Sequence, residues 1–137
     1  MQQVRSTLEQ AIVEHPDDAT AHLWLADLNL EARRLEEAQQ GYEQAASADP
    51  NLAPAHLGLA RVAMRQKQVD RALEHYGNAL VAAPSGTSLA VEYAEVLYRH
   101  GKQAEALAIL RNQLQRGDLT PQDRTGLQQL LRRLGGG

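Results

Sequence analysis

Histidine and carboxylate side chains are the groups in this sequence with the broadest chemistry, because they bind metal ions and transfer protons. There are 5 histidines and 17 acidic residues. His22 and His56 lie 34 residues apart. If that interval separates equivalent helices, the two stand roughly 10 Å apart, whereas a metal ion binds each ligand at about 2 Å. We predict that both are half-buried packing residues, and that His15, His75 and His100 lie near helix ends, where positive charge is favoured.

The other signatures of catalysis are missing from the sequence. With no cysteine, the chain has no thiol nucleophile, zinc knuckle or disulfide. Paired acids such as Glu36 and Glu37 have the spacing of a solvated helix face. Neither a glycine-rich phosphate loop nor a Ser/His/Asp order tied to a strand and turn occurs. We therefore predict that the protein is not an enzyme and uses no cofactor or metal.

Composition and charge also exclude two classes of partner. The net charge is −3, and a basic stripe with interleaved aromatic residues is missing, which argues against nucleic acid. No apolar stretch approaches the roughly 20 residues that cross a bilayer, so direct membrane insertion is not expected. Residues 1–60 carry a net charge of −7 and residues 61–137 carry +4. This asymmetry is either ordinary scatter of solvated charges or a means of steering a partner or stacking chains head to tail.

The elements that position these side chains follow a 34-residue period. Small and large apolar residues recur at i, i+3, i+4 and i+7, and proline closes each unit, which predicts pairs of amphipathic helices packed closely at their alanines. The recurring columns are Leu25, Leu59 and Tyr93; Ala26, Ala60 and Ala94; Ala38, Ala72 and Ala106; Tyr42, Tyr76 and Leu110; Ala45, Ala79 and Gln113; and Pro16, Pro50 and Pro84.

The period and its columns resemble those of the tetratricopeptide repeat (TPR) family. The resemblance implies an all-α fold, a right-handed solenoid of antiparallel helix hairpins with three full repeats, an N-terminal half repeat and a C-terminal capping helix. Within a single domain, the predicted parts are a half repeat at 2–18, repeats at 19–52, 53–86 and 87–120, a capping helix at 121–134 and a flexible tail at 135–137. The third repeat departs from the pattern at Gln113, in an alanine column, and at Asp118, where the others have proline.

The resemblance also implies a concave groove lined by the first helix of each hairpin. The residues predicted to face it are Leu23, Leu57 and Val91; Asp27, Arg61 and Glu95; Leu30, Met64 and Tyr98; and Arg65 and Arg99. The lysine and asparagine clamp with which some TPR domains grip a C-terminal carboxylate is missing from these columns. What remains is an apolar strip bordered by charge, suited to an amphipathic helix or extended segment. The alternative is that some of these leucines pack against one another across the hairpins.

The function implied is a protein-interaction scaffold that binds a peptide or helical segment of another protein in that groove. The alternative is a structural assembly module of a larger bacterial complex, as in biogenesis, pilus or polysaccharide export machinery. The first helix, with Val4, Leu8, Ala11 and Ile12 on one side, would be covered by a preceding helix in a complete repeat. Either the chain is a fragment of a longer array, or a second copy covers this side, or the helix turns it away and tolerates the loss. We expect a fragment that self-associates through this half repeat.

Overall fold

The computed structural model describes residues 2–136, and all regular structure in that range is α-helical. The eight helices there are α1 (Gln2–Glu14), α2 (Ala19–Glu31), α3 (Leu35–Ala48), α4 (Ala53–Arg65), α5 (Val69–Ala82), α6 (Thr87–Arg99), α7 (Gln103–Leu114) and α8 (Pro121–Arg133). The predicted all-α class and the hairpin repeat are confirmed. The chain divides into two compact units, one ending at Ala82 and the other beginning at Ala83.

The first unit is built from helices that pack on their sequence neighbours. Helix α2 packs on α1 and α3, and α4 packs on α3 and α5. Ala26, Ala38, Ala45 and Ala60 have no exposed surface, which places the alanine columns at the helix contacts as predicted. Tyr42 is 1% exposed and fills the space between these close approaches. Small residues therefore set the helix spacing, and one large ring fills the gap.

In the second unit, α7 packs on α6 and α8. Its buried side chains come from all three helices, with Leu97 and Leu127 each 1% exposed and Leu110 fully buried. Ala94 and Ala106 again have no exposed surface. The burial of Leu127 shows which side of α8 packs within this unit.

A left-handed residue ends the first helix of every hairpin. Arg33 and Lys67 have φ of 62° and 61°, and Gly101, at the same interval, has φ of 81°. In the first turn the Arg33 amide donates to the Leu30 carbonyl and the Arg34 amide to the Asn29 carbonyl. This pair of bonds is a Schellman motif, which satisfies carbonyls left over at the helix end.

Two helices begin at a side-chain N-cap. The Asp18 carboxylate accepts a hydrogen bond from the Ala21 amide at 3.1 Å, and the Thr120 hydroxyl accepts one from the Asp123 amide at 3.0 Å. At the other end of α8, Gly135 and Gly136, assigned from sequence to a flexible tail, take part in the helix cap: their amides donate to the carbonyls of Arg132 and Leu131. The φ of Gly135 is 99°, a conformation that glycine adopts readily and most other residues do not. Gly137 lies outside the described range.

The predicted apolar side of α1 is partly used within the first unit. Leu8 is 6% exposed, and Ala11 and Ile12 are half-buried. Val4, by contrast, is 51% exposed. Self-association through this helix stays a prediction.

Candidate functional site

Helix α4 leaves one narrow strip accessible between its buried sides. Gly58, Leu59, Ala60, Val62 and Ala63 are all buried. The accessible residues in this stretch are Leu57 and Met64, both half-buried, and Arg61 and Arg65, both exposed. They stand at i, i+4, i+7 and i+8, which is one face of a helix. The strip thus alternates apolar and cationic side chains; that it lines a binding groove stays a prediction.

Helix α2 also has an exposed strip, which contains an aromatic residue and two acids. Trp24 is 56% exposed, and Asp27 and Glu31, at i+3 and i+7 from it, are exposed as well. Trp24 was missed in the sequence analysis, which assigned Leu23 and Leu30 of α2 to the groove and gave Trp24 no role. The signal that would have found it is its place on the same face as the two acids. We call Trp24, Asp27, Leu57, Arg61, Met64 and Arg65 together the α2–α4 face.

One side-chain hydrogen bond joins α4 to α2, and another ties the α2 strip to α3. The Tyr42 hydroxyl donates to Oδ1 of Asp27, and Nη1 of Arg65 donates to the Leu30 carbonyl at 3.1 Å. Burial, and then the hydrogen bond to Asp27, raises the pKa of the Tyr42 hydroxyl, whereas the positive charges of Arg61 and Arg65 lower it. The phenol therefore stays protonated and keeps donating to the Asp27 carboxylate.

A pocket of about 630 Å³ opens at one end of this face, lined by Glu31, Arg33, Leu35 and Arg65. It lies where the turn between α2 and α3 meets the last turn of α4. Its lining holds one acid, two arginines and one leucine, so the pocket accepts side chains of mixed polarity.

Two of the predicted groove residues do not offer exposed side chains. Leu23 and Leu30 are 7% and 8% exposed and belong to the same hydrophobic cluster as Tyr42 and Leu59. For these two leucines the alternative of packing across the hairpins describes the structure. The reason is that α2 packs on three helices, α1, α3 and α4, and these two leucines lie on its packed sides.

In the second unit, the predicted residues lie on α6. Val91 and Glu95 are half-buried, and Arg99 is exposed; Tyr98 is 40% exposed. A carboxylate oxygen of Glu95 lies 4.0 Å from Nη2 of Arg133 on α8. The last turns of α6 and α8 are therefore neighbours.

The paired histidines have a structural role that spacing alone did not reveal. Nε2 of His22 lies 2.7 Å from the Pro16 carbonyl oxygen, and Nε2 of His56 lies 2.9 Å from that of Pro50. A carbonyl oxygen only accepts, so each Nε2 carries the hydrogen and donates. Each histidine thus satisfies the carbonyl of the proline that precedes its repeat, and both are half-buried, as predicted.

The third repeat satisfies the equivalent carbonyl from another helix. Ala90 stands in the histidine column, and Nε2 of Gln113 on α7 donates to the Pro84 carbonyl at 2.9 Å. Oε1 of Gln113 accepts from Nη1 of Arg116 at 2.7 Å, and Arg116 also donates to both carboxylate oxygens of Asp118 at 3.0 Å. Gln113 and Asp118, the two departures from the repeat pattern, therefore belong to one hydrogen-bonded network.

His75 differs from its sequence-based placement. It lies in the middle of α5 rather than near a helix end, and its Nδ1 is buried without a hydrogen-bond partner among the described residues. Burial, followed by the charge of Arg71, lowers the pKa of this imidazole.

Across residues 2–136 no group of three or more histidine, cysteine or acidic side chains is arranged to hold a metal ion. Over the same range, no helix combines the length and the apolar character that crossing a membrane requires.

Two family models described as tetratricopeptide repeat match the chain, one over residues 30–76 and the other over residues 57–122. The chain is a tetratricopeptide repeat protein. Such repeats are in general non-catalytic scaffolds for protein interaction, and TPR proteins bind other proteins or peptides. No curated protein matches the sequence.

Solved structures agree with the TPR fold. YrrB, a TPR protein with an unusual peptide-binding site, superposes with a TM-score of 0.74 at 23% identity, over 93% of this chain and 66% of its own. For PilF of Pseudomonas aeruginosa the TM-score is 0.70 at 20% identity, over 95% and 67%. For the type III secretion translocator chaperone SycD of Yersinia enterocolitica it is 0.68 at 19% identity, over 90% and 89%. The chain thus spans about two thirds of YrrB and PilF.

Proposed function

We propose that this TPR protein binds a peptide or helical segment of another protein on the face formed by the first helices of its repeats. In the first unit this is the α2–α4 face. The observation that carries the proposal is the exposed strip of α4, on which Leu57 and Met64 alternate with Arg61 and Arg65 while the residues between them are buried. Apolar anchors at helical spacing among charged residues suit an amphipathic partner.

Trp24 supports the same proposal from the neighbouring helix. A tryptophan that is 56% exposed keeps a large apolar area in water, and such aromatic side chains commonly supply a large share of interface binding energy. The acids beside Trp24 on α2 and the arginines on α4 would orient a bound segment by charge. YrrB, which has the same fold, is described as carrying a peptide-binding site.

The test is selection of a displayed random peptide library against the protein, followed by binding measurements on variants. Leu57→Glu places a charge in the apolar strip and should abolish binding of the selected peptides. Val81→Glu is the matched control, because Val81 lies on α5, is 80% exposed and is outside the proposed face.

Circular dichroism of both variants checks that the helices remain. Enriched peptides that bind Leu57→Glu as tightly as the parent protein would remove the α2–α4 face from the proposal. Failure of any peptide to enrich on the folded protein would argue against peptide binding altogether.

A further inference from the structure

A second surface lies in the unit that begins at Ala83 and exposes one tyrosine and three arginines. Tyr98 and Arg99 end α6, and Arg132 and Arg133 end α8. All four are exposed. A carboxylate oxygen of Glu95 lies 4.0 Å from Arg133, and this ion pair links α6 to the last turn of α8. We call these four residues the α6–α8 patch.

The guanidinium groups of the patch have few hydrogen-bond or ion-pair partners. Nε of Arg99 donates to the Glu95 backbone carbonyl at 3.4 Å, which uses one of its five hydrogens. Arg133 is 69% exposed and reaches Glu95 only at 4.0 Å. The guanidinium group of Arg132 has no hydrogen bond or ion pair to any residue that the structure describes, although its backbone carbonyl accepts from Gly135. Of these three guanidinium groups, only that of Arg133 lies within 4.0 Å of a carboxylate in the described part of the chain.

Helix electrostatics explains only part of this arrangement. Arginine in the last turn is favoured by the partial negative charge of the helix C-terminus, but that preference acts on each helix separately. It does not require an ion pair between the two helices, nor does it explain why the neighbour of Arg99 in sequence is a tyrosine that is 40% exposed. Guanidinium forks that face water beside an aromatic ring are well suited to bind carboxylates, which they hold through paired hydrogen bonds.

We propose that the α6–α8 patch docks an acidic segment of a partner protein, in which glutamate or aspartate side chains engage the arginines and an adjacent aliphatic side chain covers Tyr98. The inference rests on the proposed function and adds the chemistry of the partner. A polypeptide fits better than a nucleic acid, because a peptide supplies an aliphatic side chain for Tyr98 beside its carboxylates, and the sequence lacks a basic stripe with interleaved aromatic residues.

The test is fluorescence anisotropy with a labelled peptide of repeated Leu-Glu-Glu, the same peptide with Gln in place of Glu, and a labelled single-stranded oligonucleotide. The acidic peptide should bind more tightly than both other probes, and its affinity should fall as salt rises. The double variant Arg99→Gln with Arg132→Gln should weaken its binding by about tenfold or more. Lys102→Gln with Arg111→Gln is the control, since it removes the same charge from exposed positions elsewhere in this unit and should change binding by less than about twofold.

Equal losses in the two double variants would show that the peptide senses only overall charge, and would overturn the proposal. Absence of acidic-peptide binding, or tighter binding of the oligonucleotide, would also overturn it. Library peptides that are lost with Leu57→Glu but kept by the patch variant would leave the proposed function standing and remove this inference alone.

Discussion

Gly58 on α4 lies flat against the ring of Tyr42 on α3, so that a Cβ atom at Gly58 would fall 2.3 Å from Cε1 of that ring. Tyr42 is 1% exposed, yet its hydroxyl reaches Asp27 on the α2–α4 face. The missing side chain at Gly58 therefore leaves the space in which the ring crosses the core. One glycine in the core thus determines how the Asp27 carboxylate is held.

Replacing Gly58 by alanine should destabilise the protein. Alanine is the better helix former by about 1 kcal/mol, but the clash with a buried ring should cost more than this gain, for a net loss of about 1–3 kcal/mol in the free energy of unfolding. Urea unfolding measures the change. Gly126→Ala is the control, because Gly126 also lies within a helix and has nothing within 4 Å of an added Cβ; it should be neutral or stabilising. Equal stability of the two variants would contradict the packing described for Tyr42.

Gln113→Ala should cost about 1–3 kcal/mol, because it leaves the Pro84 carbonyl without its donor. Adding Ala90→His in that background places a donor where His22 and His56 have theirs and should restore part of the loss. Alone, Ala90→His should destabilise, because Ala90 has no exposed surface and its space is filled.

The four proteins of this cycle give the coupling between positions 90 and 113 directly from thermal or urea unfolding. Gln128→Ala, at an exposed glutamine of α8, is the control and should have little effect. If the effects of Gln113→Ala and Ala90→His are additive, a histidine at position 90 does not replace Gln113 as the donor to the Pro84 carbonyl.

The free energy of unfolding should fall at alkaline pH because of Tyr42. Its pKa in the folded state is raised by burial and then by Asp27, whereas the unfolded value is about 10. The folded protein therefore keeps a proton that the unfolded chain loses, and this contribution is complete below pH of about 10 and is lost as pH rises further. Tyr42→Phe should make the decline shallower. Asp27→Asn should do so only in part, since burial remains. An unchanged slope in Tyr42→Phe would contradict the assignment.

Arg33→Gly and Lys67→Gly should each stabilise the protein by about 0.5–1 kcal/mol, because both residues adopt the left-handed conformation that disfavours a side chain. Arg34→Gly is the control one residue away: its φ is −89°, so glycine gains nothing there and should destabilise through the added freedom of the unfolded chain. The difference in melting temperature between Arg33→Gly and Arg34→Gly reports the left-handed turn. A lower melting temperature for Arg33→Gly would contradict it.

The 34-residue period by itself determined the helices and their close contacts. Periodic alanines such as Ala26 and Ala60 mark close approaches wherever equivalent helices stack, and an N-cap such as Asp18 acts on amides three residues away. Both are properties of local order along the chain, since the helical period places i, i+3 and i+4 together whatever surrounds them. The α4 strip with Leu57 and Arg61 follows from the same periodicity.

Only the tertiary structure decided which side of an apolar helix meets a neighbour. Leu23 and Trp24 are adjacent in sequence and both apolar, yet Leu23 is buried by the helices around α2 and Trp24 remains exposed. The donor to the Pro84 carbonyl comes from Gln113, 29 residues away. In the repeat pattern alone, Gln113 is only a polar residue in an alanine column. Burial and hydrogen bonding depend on atoms from distant segments, and those positions exist only after the helices have packed.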